Sequence, residues 1–341
     1  MPQTEFTSPV PVLNEFGAPQ NFGWAKFSFQ NYDHELFRAP RRSVSEGDRY
    51  VLVSPTHLVM FEILDDGYLG YLCMSVVSLN EKKRSTHTSI TPFSLGGFNL
   101  PGDSEKGTIR FRQRKNLLDF VIMDGGIRII KADIPKFGHR RNIRGEIVLT
   151  PPPQAEPLVT NMSWRGSNDA FSYSRHSPWY SAEGVIQFGT SEIIFTKGNG
   201  WGLFDWNRGV RPRSDLGVWA SGVGQTGGRQ VGFNVGYNTA DSALGTDNAF
   251  FLDGKLHKLD QVTFHIRLGK HVPWNFTSND NRLEMTFHPH HERTDRRRLF
   301  FYNSTRRQVC GFFSGRVVLD DGSLIEFHNL TGFAERNKMR F

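Results

Sequence analysis

Cysteine is nearly missing from this chain: Cys73 and Cys310 stand far apart in 341 residues. That excludes a disulfide framework, and the apolar neighbours of both predict two buried reduced thiols. Long apolar runs are lacking too; none approaches the roughly 20 residues of a membrane-crossing helix. The opening Met1-Pro2-Gln3-Thr4-Glu5-Phe6 lacks the basic and apolar regions of a secretion signal, so a cytoplasmic protein is expected. The glycosylation-type triplets at Asn161, Asn275, Asn303 and Asn329 are then chance matches. No window of a dozen residues carries the capped, 3.6-residue apolar stripe of a helix. Nucleotide-binding signatures are absent, since Gly222-Val223-Gly224 has no strand–helix context and no Walker loop occurs. There is no Gly-x-Ser-x-Gly elbow, no marked cysteine nucleophile, and nothing that implies a cofactor.

Glycine and aromatics are plentiful, with 34 Gly and 29 Phe. This mixture suits short strands joined by tight turns rather than a helical bundle. The net charge of +7 is mild for the length and allows an anionic ligand without requiring one. Asp-Gly turns lie between apolar runs at Asp65-Asp66-Gly67, Asp124-Gly125-Gly126, Asp253-Gly254 and Asp320-Asp321-Gly322. Each predicts a hairpin, because glycine takes positive φ without steric cost. Strands are expected to flank them, among them His57 to Leu64, Tyr68 to Leu79, Leu117 to Met123 and Lys255 to Leu259. Glu81 to Arg84 reads as a charged loop. Pro151-Pro152-Pro153 cannot join a sheet interior. It marks a connector over 151–160 between an N-terminal β domain, 1–150, and a C-terminal one, 161–341. The fold class is all-β, two antiparallel barrel or sandwich units in tandem.

The chain is organised around Gly198 to Leu259, where aromatics, glycines and single polar residues alternate densely. Asp205 stands among Trp201, Trp206 and Arg208, with Trp219, Asn234, Tyr237, Asp241 and Asn248 downstream. A carboxylate in an aromatic cavity has a raised pKa and can donate a proton. Asp205 is the expected donor, Arg208 the group positioning it, and Trp201, Trp206 and Trp219 the aromatic wall. The bland alternative is an Asp–Arg pair closing a turn over core tryptophans. His257 follows a hairpin turn and could act near neutral pH, or be a hydrogen-bonded structural residue. Glu335 offers a second carboxylate, or a salt bridge to an arginine. His288-Pro289-His290-His291-Glu292 invites a metal reading, but its spacing is poor and no metal site is expected. Arg293, Arg296, Arg297, Arg298, Arg306 and Arg307 surround Phe300, Phe301 and Tyr302. A solvated hairpin tip is expected there, with contact to a membrane surface the alternative and no nucleic-acid partner.

Several motifs in order resemble the domain of unknown function 2804 family. They are Phe22-Gly23-Trp24-Ala25-Lys26, Trp201 through Asp205-Trp206 to Gly209, Trp219-Ala220-Ser221-Gly222, Gly254-Lys255-Leu256-His257-Lys258-Leu259, and the tail from Gly332 to Arg340. The chain departs from the family pattern at Thr246-Asp247-Asn248, where Thr-Glu-Asn is expected, and at Phe341, where Trp is expected. The first change bears on any acid–base role of that carboxylate. The resemblance implies a distant similarity to tandem lipocalin-like proteins such as carotenoid hydratases. It therefore implies an apolar, lipid- or isoprenoid-like ligand held between or inside β-barrels. Three functions follow as expectations: such a pocket with hydratase-, isomerase- or cyclase-type acid–base catalysis; a carbohydrate-active enzyme pairing Asp205 with Asp241 or Glu335; or a non-catalytic carrier.

Overall fold

The computed structural model describes residues 3–340 except 30, 31, 38, 82, 138–140, 165, 168, 239, 268, 270, 300 and 301. Among the described residues the chain is all-β, in one 13-stranded and one 9-stranded sheet whose strands pair antiparallel, apart from an isolated parallel bridge between Glu5 and Trp24. Both sheets curl, the first into a nearly closed barrel and the second into a half-barrel. All four Asp-Gly turns join hairpin strands. At Asp253-Gly254, between Ala249–Leu252 and Lys255–Lys258, φ is 50° and 79°. Two successive positive φ values define the turn whose twist matches a hairpin.

In the first sheet Trp201–Val210 lies between Val44–Val53 and Phe171–Phe188, joining the meander from 44 to 92 to the one from 108 to 188. Ser214–Thr226 is the corresponding inner strand of the second sheet, between Arg229–Tyr237 and Leu324–Arg340. The change of sheet therefore falls at 211–213. The proline run instead joins Arg141–Thr150 to Leu158–Ser163, two strands of the first sheet. The boundary expected at 151–160 is thus not where one sheet gives way to the other. Prolines exclude ladder pairing, but the chain resumes in the same sheet after them.

Three strands run beyond the sequence expectation. Lys83–Pro92 pairs with Leu69–Ser78 although Glu81 to Arg84 reads as a loop. Phe171–Phe188 begins well before the strand expected over Gly184 to Phe188. Leu283–Leu299 continues past the strand expected over Arg282 to His288 and carries both the histidine motif and most of the arginine cluster. Cross-strand pairing supplies what local polarity argues against.

Side chains alternate across each strand. From Trp201–Val210, Phe204, Trp206 and Arg208 point into the barrel; Leu203, Asp205 and Asn207 face the second sheet. The barrel interior is filled by a core that includes Tyr50, Phe61, Phe120, Phe204 and Trp206. Arg128 is buried in it, bonded to the Tyr180 and Tyr50 hydroxyls and the Ser104 carbonyl, with its guanidinium 3.7 Å from the Phe204 ring centroid. The half-barrel has its own core around Phe233, Phe276, Phe287 and Phe313. A third cluster, Val51, Leu58, Met60, Leu203, Val223, Cys310 and Phe333, joins the sheets. Gly232 allows their close approach, since a methyl there would lie 1.9 Å from the Pro178 carbonyl oxygen. Both cysteines are free; Cys310 is buried, whereas Cys73 is only half-buried.

Candidate functional site

Beside this inter-sheet cluster the sheets leave a cavity of about 350 Å³. Its first wall follows from register. Glu62 lies opposite Arg49, Arg49 opposite Asp205, and Asp205 opposite His176, on four adjacent strands. This cross-strand row alternates in sign, the arrangement that stabilises directly opposed charges. The second sheet answers with Trp219, Glu335 and Gln308, likewise opposite one another on adjacent strands.

The rows meet in a buried ring of four charges. Arg49 bonds to Glu62 through Nε at 3.1 Å and lies 3.2 Å from Glu335. Arg306 reaches Glu62 at 2.7 Å and both oxygens of Glu335 at 2.7 and 3.1 Å. Gln308 donates a further bond to Glu335. Burial would raise both carboxyls, but the two guanidiniums hold Glu62 and Glu335 well below the usual carboxylate range. The Arg49 guanidinium also lies 4.8 Å from the Trp219 ring centroid.

Next to the ring stands His176. Its Nδ1 lies 2.9 Å from Asp205 Oδ1 and its Nε2 3.5 Å from Asp247 Oδ1. Burial alone would lower its pKa; the two carboxylates outweigh that and push it up to about 9. An imidazolium is therefore held between two carboxylates at neutral pH. Asp247, only half-buried, is kept below the usual range by His176 and by the Thr160 hydroxyl at 2.6 Å. The other Asp205 oxygen, Oδ2, is buried without a hydrogen-bond partner among the described residues, and Asp205 lines the cavity. Among the residues lining the cavity seven are acidic, against four arginines and His176. The rest of the wall mixes rings, among them Trp164, Trp219, Tyr71 and Tyr237, with polar groups such as Asn207, Ser172 and Ser174.

The expected site residues divide accordingly. Asp205 and Trp219 stand on the cavity wall. Asn234 accepts from Trp219 Nε1 at 2.6 Å and donates to the Asp247 carbonyl at 2.7 Å, so it orients both. Tyr237 is 59% exposed on the cavity rim. Glu335 sits behind the wall, anchoring Arg306 and Arg49. Arg208 does not position Asp205. It points to the opposite face, pairs with Asp48 at 2.8 Å and bonds to the Gly47 and Pro101 carbonyls. Trp206 packs into the barrel core edge-to-face on Tyr173, its ring centroid 4.9 Å away, although part of it reaches the cavity. Trp201 packs on the inter-sheet cluster. Asn248 bonds to the Gly236 amide and the Asp260 carbonyl, a loop-holding role. Asp241 accepts from the Ala243 amide within its turn, away from the cavity. His257 pairs with Asp320 at 3.1 Å at a distant hairpin. Strand alternation and distant register, neither visible in a local motif, account for these displacements.

Sequence reasoning missed His176, Arg49, Glu62 and Arg306 as site residues, and met Asp247 only as a departure from a pattern. His176 follows Ser172-Tyr173-Ser174-Arg175, an alternation of small and large residues that marks a strand, but nothing in it points to Asp205. Of the basic cluster, Arg306 joins the buried ring, Arg297 lines the cavity with its guanidinium 3.8 Å from the Tyr71 ring centroid, and Arg307 pairs with both oxygens of Glu292. Phe300 and Phe301 lie outside the described residues. The histidine motif lies in a strand with a bulge between Pro289 and His291, and His290 packs on Phe312.

Two curled antiparallel sheets enclosing a charged cleft define the class of protein. The chain belongs to the domain of unknown function 2804 family, whose model matches residues 3–341. No curated protein matches it. Among solved structures it is similar to a provisionally assigned AttH of Nitrosomonas europaea, at 13% identity and a TM-score of 0.49 over 86% of this chain and 92% of that one. It is also similar to kievitone hydratase from Nectria haematococca, at 8% identity and a TM-score of 0.46 over 86% and 88%.

Proposed function

We propose that this protein binds a small organic molecule with an apolar body in the cleft between its sheets. There it performs acid–base chemistry of the hydration, isomerisation or cyclisation kind. The observation that carries the reading is Asp205: one oxygen is fixed on His176, and the other is buried and unpartnered on the cleft wall. A carboxyl group so placed exchanges a proton with a ligand atom, and the imidazolium behind it steadies its charge. The barrel core is filled, so the ligand space expected inside a barrel is sought between the sheets. The wall's charge argues against a purely hydrocarbon ligand.

Hydrolysis of a glycosidic bond needs two carboxyl groups with open space between them. The His176 ring fills the space between Asp205 and Asp247, Glu335 is bound to Arg306, and Asp241 stands away from the cleft. A single acid–base unit is favoured over the sugar reading.

The test is to identify by native mass spectrometry and organic extraction what co-purifies with the protein, and to follow its conversion. Asp205→Asn is expected to bind that molecule nearly as wild type does while turnover falls by about 10²–10⁴-fold. A wild-type protein that returns the molecule unchanged defines a carrier instead, and an Asp205→Asn variant with undiminished turnover removes Asp205 from the chemistry.

A further inference from the structure

The strand Ser214–Thr226 is a partition. By alternation its Gly217 and Trp219 face the charged cleft, while Leu216 and Ala220 face the inside of the half-barrel. On that second side, at the mouth of the half-barrel, lies another cavity of about 450 Å³. Its apolar wall comes from Met162, Leu216, Val218, Val262, Phe264 and Ile266. At the open end of the partition the two spaces share a wall, since Val218, Gly236, Tyr237, Asn238 and Asp247 line both. Asp247, which holds His176 from below, is thus also the polar corner of the second cavity. Its rim leaves apolar surface uncovered: Tyr237 is 59% exposed and Leu216 37%. The two cavities thus adjoin at Tyr237, and the second offers an apolar wall faced by polar groups that include Arg336, Gln261 and Asn248.

We infer that the ligand is an elongated amphiphile whose polar end sits at Asp205 and His176 and whose hydrocarbon tail occupies the mouth of the half-barrel. The polar end rests on the acid–base reading above; the tail site is the addition. With more carboxylates than cations lining the cleft, that end is neutral, a hydroxyl or carbonyl, rather than a carboxylate. Splitting the recognition this way gives each part its own chemistry. The cleft selects and reacts with the head, and the half-barrel sets affinity through tail length.

The experiment measures binding of straight-chain 1-alkanols from butanol to dodecanol to the intact protein by thermal stabilisation and calorimetry. Affinity is expected to rise about fourfold per added methylene until the cavity is filled. Leu216→Asp and Ile266→Asp, which place a charge on the tail wall, should flatten that dependence. A wild-type circular dichroism spectrum and a cooperative thermal transition show that the variants are folded. Asp205→Asn should change the alkanol affinities little and leave the chain-length dependence intact. A wild-type protein without chain-length dependence, or the same dependence in both tail variants, overturns the tail site. If Asp205→Asn leaves turnover intact while the dependence persists, the acid–base reading fails and the tail site stands.

Discussion

At the scale of the residue, His176 concentrates the physics of the site. An imidazole buried alone is driven neutral; between Asp205 and Asp247 it is pushed up to about 9. Its unfolded value is about 6.5. A folded-state pKa above the unfolded one contributes stability that is fully present below pH 6.5 and is lost as pH rises through 9. The shift corresponds to roughly 3 kcal/mol. Lys258 titrates in the opposite sense, because desolvation pushes its amine down to about 7. The informative measurement is therefore the difference between wild type and His176→Gln in unfolding free energy from pH 6 to 10. Wild type should lose its advantage across that range, and parallel curves would show that His176 is neutral in the fold. Asp205 was legible in the sequence as a carboxylate among tryptophans. Its partner was not, because the bond to His176 depends on the pairing of two strands whose residues lie 29 apart.

At the scale of the element, the buried ring of Arg49, Glu62, Arg306 and Glu335 is a cross-link between sheets, with one Arg and one Glu from each. Removing one member leaves buried charge uncompensated, which costs about 3–5 kcal/mol. Glu335→Leu should destabilise by that amount in chemical denaturation. Adding Arg306→Met should recover part of the loss, since the second change removes the stranded cation; a strictly additive double variant would show that the pair does not interact. Hairpins were the legible elements. All four Asp-Gly turns close strand pairs, because turn chemistry is local. The strand expected over Arg282 to His288 was legible, but its continuation to Leu299 was hidden because the Arg- and His-rich stretch looks solvated. Only its pairing with Tyr302–Val318, whose Arg307 is held on Glu292, makes those charges compatible with a strand.

At the scale of the whole molecule, two sheets share the apolar cluster of Val51, Leu203, Val223, Cys310 and Phe333 and the charged ring beside it. Neither sheet can expose that face without uncovering apolar surface and unpaired charge. The molecule should therefore unfold in one step, with calorimetric and van't Hoff enthalpies equal and with the transition seen by tryptophan fluorescence coincident with that seen by circular dichroism. Two separated transitions would mean that the sheets are independent domains. The inter-sheet position of the cleft has the same origin. The barrel fills its own interior with aromatic side chains, so space for a ligand is left where two convex sheets meet and at the open mouth of the half-barrel.

By itself the sequence determined the class of structure, the hairpins and the stretch at its centre, from Gly198 to Leu259. Those follow from alternation, turn chemistry and β-favouring composition, all of which act within a few residues of one another. Tertiary structure alone decided which faces of Trp201–Val210 and Ser214–Thr226 meet, that Asp205 is held by His176 while Arg208 turns to the core, and that the change of sheet falls at 211–213. Side chains on one strand choose between two faces. Which face becomes a site depends on what a distant strand brings opposite it, and no local pattern carries that register.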